Sequence, residues 1–343
     1  MSSYFNLYAN CIAVQGTQES IIADLQNNEY INIPNLLIDV LKNTRGKTVA
    51  EIKNLFNNEL NEGIDHYFSH LDEIGYGFFL DNPESFPELD ITWDSPLKIN
   101  NAVLEIGQNC NYNISSAIKE LGSLGCAGIQ IRISDADINK ILPEIVNATR
   151  FSRIKAVEIL LPEPLFDDSL TQYLEDIENR ISYILVHSVT DEEKTKAQYE
   201  DYKYFKDKKL AFTSKIVDNT TTDLIGKEKF ITNIEFFSEA QEYNVALNRK
   251  VCIDNNGDFR NYLSHNATFG NFNNTSITEI IQNSDFTRKW FVNNDNIDIC
   301  KDCQFRYICF DNSDIEFNGS SWRKLNQCLF DPYTNKWESE KDI

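Results

Sequence analysis

Ala102-Val-Leu-Glu-Ile-Gly107, Gly128-Ile-Gln-Ile-Arg-Ile133 and Ala156-Val-Glu-Ile-Leu-Leu161 are short runs of β-branched and aliphatic residues. Between them, residues 114–124 and 136–149 carry apolar side chains at helical spacing. Further strand-like runs occupy 182–187, 209–215 and 230–236. The starts at 102, 128, 156, 182, 209 and 230 are nearly evenly spaced, the rhythm of βα units. Such units build a parallel sheet, because parallel neighbours need a crossover that a helix supplies. The expected class is α/β. Six units equal the count of a partial (β/α)6 TIM-like barrel, although spacing alone leaves a doubly wound sheet open.

Upstream, Cys11-Ile-Ala-Val-Gln-Gly16, Glu19-Ser-Ile-Ile-Ala-Asp-Leu25 and Glu29-Tyr-Ile-Asn-Ile-Pro34 read as β-rich runs separated by turn residues. Pro34 suits the first turn of a helix over 35–42, and Gly46 ends that segment. Thr48 with Glu51 forms a capping box for a helix over 49–56. Ile64, Phe68, Leu71 and Ile74 recur at helical spacing until Gly75. Residues 1–80 are therefore expected to form a winged-helix-like unit. Residues 81–97, with Pro83, Pro87 and Pro96 among acidic residues, read as a linker. The barrel-like unit is placed at 98–240 and a third unit at 241–343.

Within the third unit, Cys300-Lys-Asp-Cys303, Cys309 and Cys328 group four of the eight cysteines. Thiolates so spaced can close a shell around one soft metal centre, and four of them leave no open position. Zinc and iron–sulfur both remain open on spacing. A disulfide pair in a secreted protein is the competing reading, but the N-terminus Met-Ser-Ser-Tyr-Phe-Asn-Leu lacks a basic region, an apolar core and a cleavage site. Clustered cysteines point instead to a reducing cytoplasm.

The net charge of −21 opposes general nucleic-acid binding, which depends on Lys and Arg meeting phosphate. It also disfavours anionic membrane surfaces, and no apolar run approaches the roughly 20 residues that span a bilayer. Asn256-Gly257 between strand-like flanks signals a hairpin. Asp254, Asn256 and Asp258 are spaced as in a calcium loop, yet Phe259 stands where Gly is needed and His265 where Glu is needed. His66 and His70, four apart on a helix, lack the zinc-protease Glu. His187 ends the fourth barrel strand, where parallel sheets place functional residues.

Three strands followed by three helices resemble the RiPP recognition element, the leader-peptide-binding domain of ribosomal-peptide maturases. That resemblance implies a leader added as a strand along the edge at Tyr30, Ile31, Asn32 and Ile33. Tyr67 and Leu71 of the third helix would then supply side-chain pockets. Cys110-Asn-Tyr after the first barrel strand looks like the start of a radical SAM motif, but the next two ligand positions hold Ile114 and Ala117. The Gly-Gly-Glu expected after the second strand is replaced by Ile129-Gln-Ile-Arg-Ile-Ser-Asp135. No S-adenosylmethionine (SAM) cleavage is expected, and Cys110 and Cys126 read as small apolar residues.

The C-terminal order is similar to the SPASM domain. Cysteines expected at Tyr262 and Ser313 are missing, which implies loss of one auxiliary cluster. Cys300, Cys303, Cys309 and Cys328 match the four ligands of the other, a [4Fe–4S] cluster by resemblance, with zinc as alternative. Together with Leu247-Asn-Arg-Lys250, Phe269-Gly-Asn271 and Asp331-Pro-Tyr-Thr-Asn-Lys-Trp337, the chain resembles the grasp-with-spasm SPASM-domain peptide maturases. The resemblance implies a ribosomal precursor peptide and an ATP-grasp ligase as partners in making graspetides. It allows two roles: a binding protein that presents the core peptide to the ligase, or an enzyme using the remaining cluster or the barrel mouth.

Overall fold

The computed structural model describes residues 3–82, 86–219, 226–326 and 328–338. The chain begins with β1 (Tyr4–Leu7), β2 (Cys11–Val14), β3 (Glu19–Asp24) and β4 (Glu29–Pro34). The last three form an antiparallel sheet in the order β2-β3-β4, with Ile22 opposite Ile31 and Ala23 opposite Tyr30. Helices α1 (Asn35–Leu41), α2 (Val49–Leu55) and α3 (Asn61–Glu73) follow, and β5 (Gly77–Leu80) returns to pair with β1. The capping box forms: the Glu51 amide donates to Thr48 Oγ1 at 3.2 Å, and the Thr48 amide donates to Glu51 Oε2 at 2.8 Å. The β1–β5 pair adds to the three strands and three helices read from sequence.

Strand alternation divides this small sheet between two cores. Cys11, Ile22 and Ile33 face the helices and join Phe5, Ile38, Ile52, Phe68 and Leu71. Val14, Ile21 and Ala23 face the other way and join Phe237, Phe305, Ile308, Phe330 and Trp337 from the far end of the chain. The sheet is therefore covered on both sides, and the N-terminal and cysteine-bearing segments share one core. Of the predicted linker, 83–85 lie outside the described residues. Its remainder is docked: Arg249 donates to the carbonyls of Ser95 and Leu97, both at 2.6 Å, and its guanidinium lies 4.8 Å from the Trp93 ring centre.

The main sheet contains β6 (Asn101–Ile106), β7 (Gly128–Ile133), β8 (Ala156–Pro162), β9 (Ile181–His187) and β10 (Leu210–Phe212), all parallel. Helices α4 (Ile114–Ser123) and α5 (Ile138–Thr149) connect the first three, and α6 (Glu192–Gln198) and α7 (Lys203–Lys206) precede β10. The strand expected at 230–236 does not form. Asn233 caps α8 (Ile234–Ala240) by accepting from the Phe236 amide at 2.9 Å, and Phe237 and Ala240 bury one face of that helix. The sixth parallel strand is β11 (Lys250–Ile253), which pairs with β6 on the side opposite β7. An antiparallel β12 (Phe259–Arg260) extends that side, giving the order β10-β9-β8-β7-β6-β11-β12. The sheet is open, and its sixth parallel strand lies beside the first rather than the fifth.

The Asn256-Gly257 hairpin forms between β11 and β12, with Gly257 at φ +86°, a conformation glycine adopts without steric cost. Asp254 is consumed within the turn, accepting from the amides of Asn256 and Asp258 and pairing with Arg260 at 2.8 Å. Two short pairs complete the chain: β13 (Ile315–Phe317) with β14 (Trp322–Lys324), and β15 (Phe330–Asp331) with β16 (Lys336–Trp337). Among the described residues, no helix is long and apolar enough to cross a membrane.

Candidate functional site

The four C-terminal cysteines converge. Cys300, Cys303, Cys309 and Cys328 line one small cavity of about 40 Å³, closed by Phe230, Phe305, Phe330 and Trp337. A 3-10 turn over Cys300–Asp302 brings the first two together, with the Cys303 amide donating to the Cys300 carbonyl at 3.0 Å. Cys309 is held by a bridge to Phe230. Ile299, just before the first thiol, has φ +70°, a strained value for a β-branched residue. Burial pushes the Cys303 thiol up to about 12 and raises those of Cys309 and Cys328 as well. Lys324 lies against the thiols and is ion-paired to buried Asp311. Burial opposes its charge, but Cys300, Asp311 and Cys309 together hold it protonated.

A soft metal centre would let these thiols ionise, with Lys324 balancing part of their charge. Among the described residues, no three metal-binding side chains stand at the mutual separation of a preformed site. The residue types and their shared cavity fit such a centre. All eight cysteines are free.

The positions where the second and third ligands of a radical SAM motif would stand lie in the first turn of α4 and are core residues. Ile114 is 6% exposed and Ala117 fully buried, both within the core between sheet and helices. Cys126 is buried in the same core, and Cys110 is half-buried against it. His187 sits at the end of β9, with Nδ1 2.9 Å from Ser188 Oγ. Burial, reinforced by Arg132, lowers its pKa. His66 and His70 stand side by side on the exposed face of α3, and Asp65 beside them pairs with Lys53.

The strand edge is only partly as expected. β4 is the outer strand of its sheet, and among the described residues no other strand pairs with its free side. Asn32 is exposed, Ile31 half-buried and Ile33 buried. The Tyr30 ring is half-buried and packs edge-on against Phe230 at 5.8 Å and Phe305 at 5.5 Å. Leu71 is 1% exposed inside the helix-side core and forms no surface pocket. Tyr67 is half-buried at the margin of that core. Tyr30 and Leu71 are thus packing residues, and the accessible part of the edge is the backbone with Ile31, Asn32 and Tyr67.

A second, larger cavity of about 680 Å³ lies on the face of the main sheet opposite α4 and α5. On β7, Ile129, Ile131 and Ile133 point to the helices while Gln130 and Arg132 point into the cavity. On β8, Val157, Ile159 and Leu161 face the helices and Glu158 faces the cavity. These polar groups are linked: Gln130 donates to Glu158 at 3.1 Å, and Arg132 donates to Gln130 at 3.0 Å and to the Tyr262 hydroxyl at 2.8 Å. Sequence reading left this set unnoticed. Its signal was the charged and amide residues alternating within parallel strands, which are usually apolar on both faces.

No protein-family model matches the sequence, and no curated protein matches it. Among solved structures the chain is similar to BtrN in complex with AdoMet and 2-DOIA, at 12% identity over 63% of this chain and 94% of that one, TM-score 0.37. It is similar to a tagged form of anSMEcpe with bound AdoMet, at 11% identity over 71% and 95% of the two chains, TM-score 0.35. It is also similar to SuiB of Streptococcus suis bound to precursor peptide SuiA, at 13% identity over 89% and 94%, TM-score 0.31.

Proposed function

We propose that this chain is a maturation protein for a ribosomally made peptide of the graspetide kind. In this reading it captures the precursor's leader along β4 and presents the core to an ATP-grasp ligase, without cleaving SAM. The observation that carries the proposal is the open edge of β4. An antiparallel edge strand directs alternate N–H and C=O groups outward, and an extended peptide can satisfy them as an added strand. Ile31 and Tyr67, both half-buried at the margin of one core, offer shallow apolar contacts on the helix side. Residues 1–80 would be the recognition unit and 81–97 its connection to the barrel-like unit at 98–240, whose sheet takes its sixth parallel strand, β11, from the unit that follows. Residues 241–343 would be the SPASM-like unit, carrying a [4Fe–4S] cluster or zinc on Cys300, Cys303, Cys309 and Cys328. Eight free thiols suit a cytoplasmic protein.

A second reading, a peptide-modifying enzyme, is favoured by the cavity of the main sheet, which sets Arg132, Glu158 and Lys250 in a largely apolar lining and is large enough for several side chains.

The deciding experiment is calorimetry of the full chain with the leader half of the precursor encoded beside its gene. Sequence-specific binding that Asn32→Pro weakens supports the reading. Unchanged affinity in a folded Asn32→Pro protein moves the peptide site away from β4. Addition of the ligase and ATP then separates presentation from catalysis by this chain.

A further inference from the structure

The cavity of the main sheet is cationic in a chain that is strongly anionic. Among the described residues, Arg132, Lys215, Lys229 and Lys250 line it and Glu158 is the one carboxylate, although the whole chain carries −21. Glu158 already accepts from Gln130. Arg132 spends three of its five N–H groups on Gln130, the Tyr262 hydroxyl and the Asp218 carbonyl, which leaves two.

Lys250 is the group these contacts leave unsatisfied. It is 6% exposed, and its Nζ lies 5.2 Å from the Tyr262 ring centre and 5.4 Å from that of Phe310. Among the described residues, neither a carboxylate at ion-pair distance nor a hydrogen-bond acceptor meets this nitrogen. An ammonium contacted by ring faces alone, at the wall of a cavity, keeps its N–H groups available to an anionic partner. We propose that this cavity binds a carboxylate, received by Lys250 Nζ with the remaining Arg132 N–H groups beside it. The site is separate from the strand edge, and neither assignment depends on the other.

Titration gives the binding a signature. Burial, with Arg132 adding to it, lowers the pKa of Lys250, while Cys252, Glu239 and Glu158 act in the opposite direction at longer range. His265 also lies near Lys250, and burial lowers its pKa while Asp314 acts in the opposite direction. Lys215 and Lys229 line the same space. An arriving carboxylate favours the ammonium, so binding at alkaline pH takes up a proton.

The test uses the full chain and two probes, free glutarate and the blocked peptide acetyl-Ala-Glu-Ala-amide, which separate a small organic acid from an acidic peptide side chain. Calorimetry in buffers of different ionisation heat reads affinity and proton uptake together. The expected result is binding of at least one probe with an enthalpy that depends on the buffer. Lys250→Met should lower that affinity by about tenfold or more and abolish the buffer dependence. Replacing an unpaired buried charge by an apolar side chain should keep the melting temperature or raise it. Equal affinity in wild type and Lys250→Met overturns the proposal. So does failure of folded wild type to bind either probe at millimolar concentration, a result that needs no variant.

Discussion

Replacing Phe305 with alanine tests whether the cysteine-bearing unit and the N-terminal sheet are one cooperative body. Phe305 is 4% exposed, and its ring meets Phe230 at 4.6 Å, Phe330 at 5.0 Å and Tyr30 at 5.5 Å. Two of those neighbours belong to the C-terminal half, and the third is on β4. Truncating a fully buried Phe costs about 3–5 kcal/mol in transfer and cavity terms. With a fourth ring, Trp337, at 6.3 Å, about 3 kcal/mol is the least this site should lose. Urea denaturation of the full chain gives the total, and hydrogen exchange gives its distribution. If the shared core couples the two units, amides of Ile21, Ile22 and Ala23 on β3 lose protection together with those around Ile308. A loss of about 3 kcal/mol appears as roughly a hundredfold faster exchange in both places. Phe305→Leu, which keeps most of the volume, should cost about 1 kcal/mol. Accelerated exchange around Ile308 with β3 unaffected would refute the reasoning, because the sheet would then be held by its helix-side core alone.

Asn32→Pro removes an amide and distorts the outer strand, so calorimetry with the precursor leader should read a loss of about 1–3 kcal/mol if that amide is paired. Cys309→Ser should abolish stoichiometric iron, sulfide or zinc in anaerobically purified protein and lower the melting temperature of the metal-loaded form, whereas equal metal content in the variant and wild type removes the centre from this cavity. Stability should also fall as pH rises across the titration of Glu239. Burial, only partly offset by Asn248, pushes this carboxyl up from 4.5 to about 7, so the native state keeps a proton that the unfolded chain releases. The contribution is full below about 4.5 and is lost by about 7. It is worth about 1–3 kcal/mol, and urea titrations of Glu239→Gln should lack that slope.

What the sequence disclosed was local. The Thr48–Glu51 box, the Asn256-Gly257 hairpin and the strand at Gly128–Ile133 each need only a few neighbouring residues to be read, and each formed. The misread strand at 230–236 was also local in principle. Asn233 is a good cap, and Phe237 and Ala240 continue its helical face beyond the window in which a strand was sought. Distant contacts were not legible. Tyr30 and Leu71 were assigned to a ligand by the resemblance to a recognition element, yet Phe230 and Phe305, some two hundred residues and more away in sequence, pack on one, and the N-terminal core encloses the other.

Lys250 belongs to the same class. Its sequence neighbours mark it as a strand residue, and nothing local gives the lysine a direction. Only the parallel pairing of β11 beside β6 turns it toward Arg132 and Tyr262. The chemistry of the cavity thus depends on a strand order that evenly spaced βα units do not encode. In an arrangement with the sixth strand beside the fifth, Lys250 would stand at the other end of the sheet, away from Arg132 on β7. The charge placed in this cavity is a property of the topology as much as of the residues.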